Sequence, residues 1–221
     1  MDCLMTVTAP RAQLCIWTNI DPAFEADFNR WYDREHMQER VAIPGFRFAR
    51  RFKAVHETAR PYLALYCTQD ASVFTSEAYA RAFQNQTEWS LRNFARMQGT
   101  QRRVGTLDVE AGEGQGGMLA AFVLTQAVVA QARPRLDAQL AELAQADGIV
   151  RGTLQVTVPA LSVSLTAKDA PPPPADAVVL IEGTDPDTVR TVAETLAAAH
   201  GVPAGEVTRF AMLWRLGAND D

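Results

Sequence analysis

Residues 28–53, FNRWYDREHMQERVAIPGFRFARRFK, hold the densest mixture of aromatic, acidic, basic and imidazole groups in the chain. Pro44 sets φ near about −65° and Gly45 accepts a positive φ, so Ile43-Pro44-Gly45-Phe46 suits a type II turn that parts a helix from a strand. Upstream, Asp21-Pro22 supplies an N-cap acceptor and a preorganised first helical residue, which predicts a helix over about 22–42. Within it Phe24, Phe28 and Trp31 follow the i, i+4, i+7 spacing of a buried stripe, and Asn29, Asp33, His36 and Arg40 share a neighbouring polar face. After the turn, Phe46, Phe48 and Phe52 alternate with Arg47, Ala49, Arg51 and Lys53, as in a strand with one aromatic and one basic face. A solvated face accounts for Arg47, Arg51 and Lys53, whereas Arg50 shares the aromatic face and must find a partner there.

Outward from this stretch the same grammar recurs. An apolar, β-favouring run at 14–20 precedes the helix, and 62–67 follows as a third strand. Residues 71–99 read as helical with a break near Asn85, where Thr87 caps a new turn, and 102–110 alternates as a fourth strand. The order is βαββαβ. GEGQGG at 112–117 has the composition of a flexible connection. The order then restarts: a strand at 118–125, a helix at 134–146 beginning at Pro134, and a strand at 149–158. A loop at 168–176 carries four prolines, a strand at 177–182 follows, a helix opens at Asp185-Pro186, and a strand at 207–216 closes the unit. The predicted class is α+β: two ferredoxin-like units, 1–112 and 118–221 with 113–117 between them, packed sheet to sheet as one intramolecular barrel.

Length and charge exclude several partners. With 221 residues, 48% of them hydrophobic, the chain can bury a substantial core. The net charge of −5 argues against nucleic acid and anionic membrane surfaces as partners. Charge is divided unevenly: residues 1–112 carry 14 Lys/Arg against 13 Asp/Glu, and the remainder carries 7 against 13. Cys3, Cys15 and Cys67 are odd in number and lack metal-ligand spacing, which fits a reducing, cytoplasmic setting without disulfides or zinc. No run reaches the roughly 18 apolar residues of a membrane span.

The pattern FNRWYDREHMQERVAIPGF with its basic strand resembles the dimeric α+β barrel superfamily, and within it EthD-like and related small-barrel proteins, whose recurring element is F-N-x-W-Y-x-x-E-H followed by P-G-F. TEWS at 87–90 resembles a second, weaker element. The superfamily includes lactone isomerases, polyketide cyclases or dehydratases, and haem-handling oxygenases and peroxidases. Carried over residue by residue, the resemblance implies Trp31, Tyr32, Glu35 and His36 as site residues, with Asn29 and Arg50 or Arg51 in support. The second half has no W-Y-x-x-E-H, which implies one site per chain.

The residues themselves suit acid–base chemistry. An imidazole titrating near about pH 6.5 is the natural proton carrier, and a carboxylate from Asp33 or Glu35 is expected to hold its tautomer, Asp33 being the closer on a helix. Trp31, Tyr32, Phe48, Tyr62, Tyr66 and Trp89 are candidates to bind an aromatic substrate, and Arg50 to hold its charge; ordinary core packing is the competing account of Trp31, Phe46 and Phe48. His56 and His200 need no catalytic role. No nucleotide-binding loop or metalloprotease motif is present. The reading is a cofactor-independent enzyme for a small cyclic or aromatic metabolite that isomerises, dehydrates or cyclises it. A non-catalytic carrier of hydrophobic ligands and a haem protein with His36 as axial ligand stay open, as does homodimerisation through outer surfaces.

Overall fold

The computed structural model describes residues 9–164 and 172–218. Eight strands form a closed antiparallel barrel: β1 (Ala12–Ile20), β2 (Phe46–Ala54), β3 (Tyr62–Thr68), β4 (Met97–Gly112), β5 (Met118–Thr125), β6 (Ile149–Thr157), β7 (Asp176–Gly183) and β8 (Thr208–Gly217). Their order around the wall is β1-β3-β2-β8-β5-β7-β6-β4. The first four strands thus stand in the order β4-β1-β3-β2 and the last four in the order β8-β5-β7-β6. Hydrogen-bonded ladders join the two quartets edge to edge, β2 with β8 from Phe48↔Gly217 to Ala54↔Phe210, and β4 with β6 from Gly105↔Thr157 to Gly112↔Arg151. Closure leaves no unpaired sheet edge, the feature that makes open sheets prone to add further strands. Gly105 permits one of these seams, because a Cβ there would lie 2.3 Å from the Val156 carbonyl oxygen.

The barrel interior is packed. Cys15, Trp17, Phe52, Leu63, Leu65, Leu119, Val178, Leu180 and Phe210 fill it as one apolar cluster. Charges inside are paired: Arg50 forks onto Glu182 at 2.6 and 2.9 Å, and Arg103 donates to Asp176 at 2.9 Å. Gly116, in the glycine run, donates its N–H to Glu182 at 3.3 Å, and a Cβ on it would meet the Gly183 backbone at 2.4 Å. Part of the apparently flexible connection is therefore a close backbone approach that completes a buried ion pair. Cys15 and Cys67 are free and buried, and burial pushes the Cys15 thiol up to about 12; Cys3 lies outside the described residues.

The central helix covers the expected span but not as one uniform helix. It begins with a short 3₁₀ turn (Pro22–Phe24) capped by Asp21, continues as α1 (Glu25–Trp31), widens into a π-helical turn (Tyr32–His36) and ends as α2 (Met37–Val41). The Pro-Gly turn stops it as predicted, with Gly45 at φ 91° and the Phe46 N–H donating to the Ile43 carbonyl at 3.1 Å. The helical region after β3 is broken where expected, into α3 (Glu77–Gln84) and α4 (Glu88–Arg96), with the Thr87 hydroxyl capping the latter. In the second half α5 (Gln126–Leu143) begins well before Pro134, because the Thr125 hydroxyl caps it and the proline is accommodated inside the helix. The last helix, α6 (Pro186–Ala199), opens on the Asp185 cap as predicted.

Two expectations for β2 need correction. A bulge between Phe46 and Phe48 turns Phe46 to the helix side, against Tyr66, Phe74 and Tyr79, while Phe48, Arg50 and Phe52 face the interior. Arg51 is not solvated: it is 2% exposed, stacked on the Tyr32 ring at 4.0 Å and hydrogen-bonded to Asn29 and Asp33. Of the proline-rich loop, residues 165–171 lie outside the described residues. Among the described residues no helix is long and apolar enough to cross a membrane.

Candidate functional site

The helix side of the first sheet is where the site forms. A cavity of about 650 Å³ opens between β1, β3 and β4 on one wall and the π-helical turn, α2, α3 and α4 on the other. Tyr32, His36, Tyr66, Tyr79, Phe83 and Phe94 give it an aromatic lining, and Ser162 with Pro172–Pro174 from the second half form part of its rim. The volume and character suit a small ring system, since ligand pockets commonly enclose about 300–1,000 Å³ of mainly apolar space.

The π-helical turn positions Tyr32 and His36. Such a turn widens the helix by one residue and recurs at functional sites. Here it separates two faces that a regular helix would merge: Asn29 and Asp33 point to Arg51, while His36 and Arg40 line the cavity. Tyr32 and His36 meet edge to face at 5.1 Å between ring centroids. His36 is enclosed by Trp31 at 4.3 Å, Phe94 at 5.6 Å and Tyr66 at 6.2 Å. Its Nδ1 is sealed from solvent without a hydrogen-bond partner among the described residues, and the residue lines the cavity. Burial, then the nearby charges of Arg40 and Arg51, hold the imidazole well below its ordinary range, so it is neutral near pH 7.

Neither expected carboxylate reaches this imidazole. The exposed Asp33 accepts from Arg51 at 3.2 Å. Glu35 instead fastens the central helix to α4: Thr87 Oγ1 donates to it at 2.6 Å and Ser90 Oγ at 3.1 Å, while Trp31 Nε1 donates to Ser90 Oγ at 3.0 Å. The two sequence elements, W-Y-x-x-E-H and TEWS, are thus halves of one helix-to-helix clasp. Trp89 stands outside the cavity and donates to Asp27 at 3.2 Å. Asn29 and Tyr62 belong to a network behind the site, with Arg51 Nη2 donating to Asn29 at 2.9 Å and the Tyr62 hydroxyl bonded to Glu25.

Of the predicted substrate-binding residues the structure brings only Tyr66 to the cavity beside Tyr32 and His36. Phe48 and Arg50 lie inside the barrel, the arginine committed to Glu182. The Tyr32 and Tyr66 hydroxyls influence each other's ionisation without meeting in hydrogen-bond geometry, and burial raises both, so both are neutral phenols. Residues that sequence reasoning left out of the site are Arg40, Tyr79, Phe83, Phe94 and Met97. The i, i+4 pair Tyr79/Phe83 was a visible signal, but nothing in it distinguishes a cavity wall from core.

No protein-family model and no curated protein matches the sequence. Solved structures do match the fold. An anthrone oxidase-like protein superposes with a TM-score of 0.67 at 12% identity, covering 96% of this chain and 94% of its own. A putative monooxygenase from Lactobacillus acidophilus gives 0.59 at 6% identity, with 95% and 97% covered. A putative chlorite dismutase gives 0.56 at 11% identity, with 93% and 96% covered. Likeness at such identities speaks to architecture alone: the chain shares its eight-stranded α+β barrel fold with these proteins.

Proposed function

We propose that the protein is an enzyme that binds a small aromatic or cyclic metabolite in this cavity and removes a proton from carbon, with His36 as the base. The observation that carries the reading is a buried imidazole kept neutral in the lining of an aromatic cavity. A base must be unprotonated before it acts, and burial beside two guanidinium groups secures that state near neutral pH. Tyr32, whose ring meets the imidazole edge to face on the same wall, would donate its hydroxyl hydrogen to the enolate or phenolate oxygen that develops as the C–H electron pair moves away. With Arg50 and Arg51 engaged elsewhere, the tyrosine is the better candidate for that task. The resulting carbanion equivalent can be reprotonated, which isomerises the substrate, or can expel a leaving group. It can also meet dioxygen, the outcome that the oxidase-like and monooxygenase names among the structural neighbours suggest for those proteins. Proton removal is common to all of these.

Anthrone is a suitable probe because its methylene is acidic and its three rings match the cavity. Wild-type protein should accelerate exchange of that methylene with D₂O, followed by NMR, and His36→Ala should lower the rate at least about 100-fold with circular dichroism and Tm preserved. Oxygen uptake measured in parallel separates exchange from oxidation. Equal exchange rates in both proteins would remove His36 from the reaction and favour a ligand carrier. A haem site on His36 fits less well. An axial imidazole is oriented by a hydrogen bond from its second nitrogen, and Nδ1 here has no acceptor.

We further propose that residues 1–112 and 118–221 are two βαββαβ units joined covalently into one barrel. The matching strand order of the two quartets supports this. The helix side of the second quartet is filled by Leu136, Leu140, Leu154, Val189 and Leu196, in keeping with a single site per chain.

A further inference from the structure

Three arginines line the cavity, and their bonding differs. Arg103 donates to Asp176 at 2.9 Å and to Gln101 at 2.9 Å. Arg102 donates to the Tyr79 hydroxyl at 3.0 Å and to the Leu161 carbonyl. Arg40 is 2% exposed, and its Nε, Nη1 and Nη2 are all shielded from solvent without a hydrogen-bond partner among the described residues. Among the described residues it forms an ion pair with Glu39 at 3.6 Å, longer than a hydrogen bond, and its guanidinium lies 4.7 Å from the centre of the Phe83 ring. A buried cation with every donor unmet is costly, and a cation–π contact offsets only part of that cost. Its charge acts on His36, Tyr32 and Tyr66, which places it at the same end of the cavity as the proposed base.

We infer that Arg40 is a binding residue for an anionic substituent, and that the ligand of this cavity is an aromatic or cyclic carboxylate. A planar guanidinium without a hydrogen-bond partner among the described residues matches a two-oxygen anion, which would reach its donors by shifting the side chains that seal them, and the surrounding low-dielectric wall strengthens the pairing. The rings would lie among Tyr79, Phe83 and Phe94 with the carboxylate toward Arg40. The inference rests on the reading of the cavity as an aromatic-ligand site and names the class of ligand that it takes.

The test compares 2-naphthoate with its neutral isostere 2-naphthamide by isothermal titration. Wild-type protein should bind the naphthoate at least about tenfold more tightly, and Arg40→Met should abolish that preference while leaving naphthamide binding unchanged. Glu39→Gln should bind naphthoate as well as wild type or better. The Tm of Arg40→Met should equal or exceed that of wild type, since a buried cation without hydrogen bonds has been removed; lowered Tm in both Arg40→Met and Glu39→Gln would mark the pair as structural and overturn the inference. Equal binding of the two probes to wild type would overturn the role of Arg40 and leave the aromatic cavity standing. Binding of neither probe would overturn both.

Discussion

At the scale of single residues, the chemistry of His36 comes from what surrounds it and not from a partner. An imidazole in water takes up a proton near about pH 6.5, and the folded protein resists this through burial and through Arg40 and Arg51. The folded-state pKa is depressed, so the unfolded chain binds the proton first as pH falls. The contribution of His36 to stability is intact above about pH 6.5 and is lost progressively below it, down to the folded-state pKa, at about 1.4 kcal/mol per unit of separation. Thermal unfolding at about pH 7 and about pH 5 should show wild type losing more stability than His36→Phe, in which no proton is taken up; equal losses would mean that the imidazole is not held neutral. His36 could be singled out from its motif, and Arg50's need for a partner from its place among phenylalanines. The pattern puts Arg51 on a solvated face and Arg40 on a polar one, and both are enclosed, because whether an arginine beside a helix or strand face is solvated depends on what packs over it.

At the scale of elements, punctuation was legible and irregularity was not. Pro44-Gly45, Asp21-Pro22, Asp185-Pro186 and Thr87 mark boundaries with local stereochemistry, and each does so in the structure. The π-helical turn and the bulge before Phe48 have no such signature, since each is one residue too many for a regular ladder and is chosen by the packing around it. They nonetheless decide the site: the first separates His36 from Asp33, and the second sends Phe46 and Phe48 to opposite sides of the sheet. The role of Glu35 follows from the same geometry. Glu35→Ala removes the acceptor for Thr87 and Ser90 and leaves buried donors unmet, at a cost of about 1–3 kcal/mol. Hydrogen exchange should show the loss concentrated in α4. Abolished turnover with α4 protection unchanged would instead make Glu35 a reacting group.

At the scale of the whole molecule, the two ladders between the strand quartets carry the architecture, and the Arg50–Glu182 pair bridges them inside the barrel. Residues 1–112 expressed alone would expose β2 and β4 as open edges and strand Arg50 without its carboxylate. Breaking such a buried pair costs about 3–5 kcal/mol. Light scattering should find this fragment dimeric or aggregated, where the intact chain closes its own wall; a stable, well-protected monomer would mean that the quartets fold independently. Alternation and element order pointed to two four-stranded sheets, but the pairing of Gly105 with Thr157 and of Phe48 with Gly217 has no local cue, because such long-range registers are settled by closure. The cavity shows what closure makes available. The wall with Tyr32 and His36 and the lining at Pro172–Pro174 are written in distant parts of the chain. Under the proposed function, substitutions at Pro172–Pro174 would retune which molecules are admitted while Tyr32 and His36 stay untouched, so that over generations one chemistry could be lent to a succession of substrates.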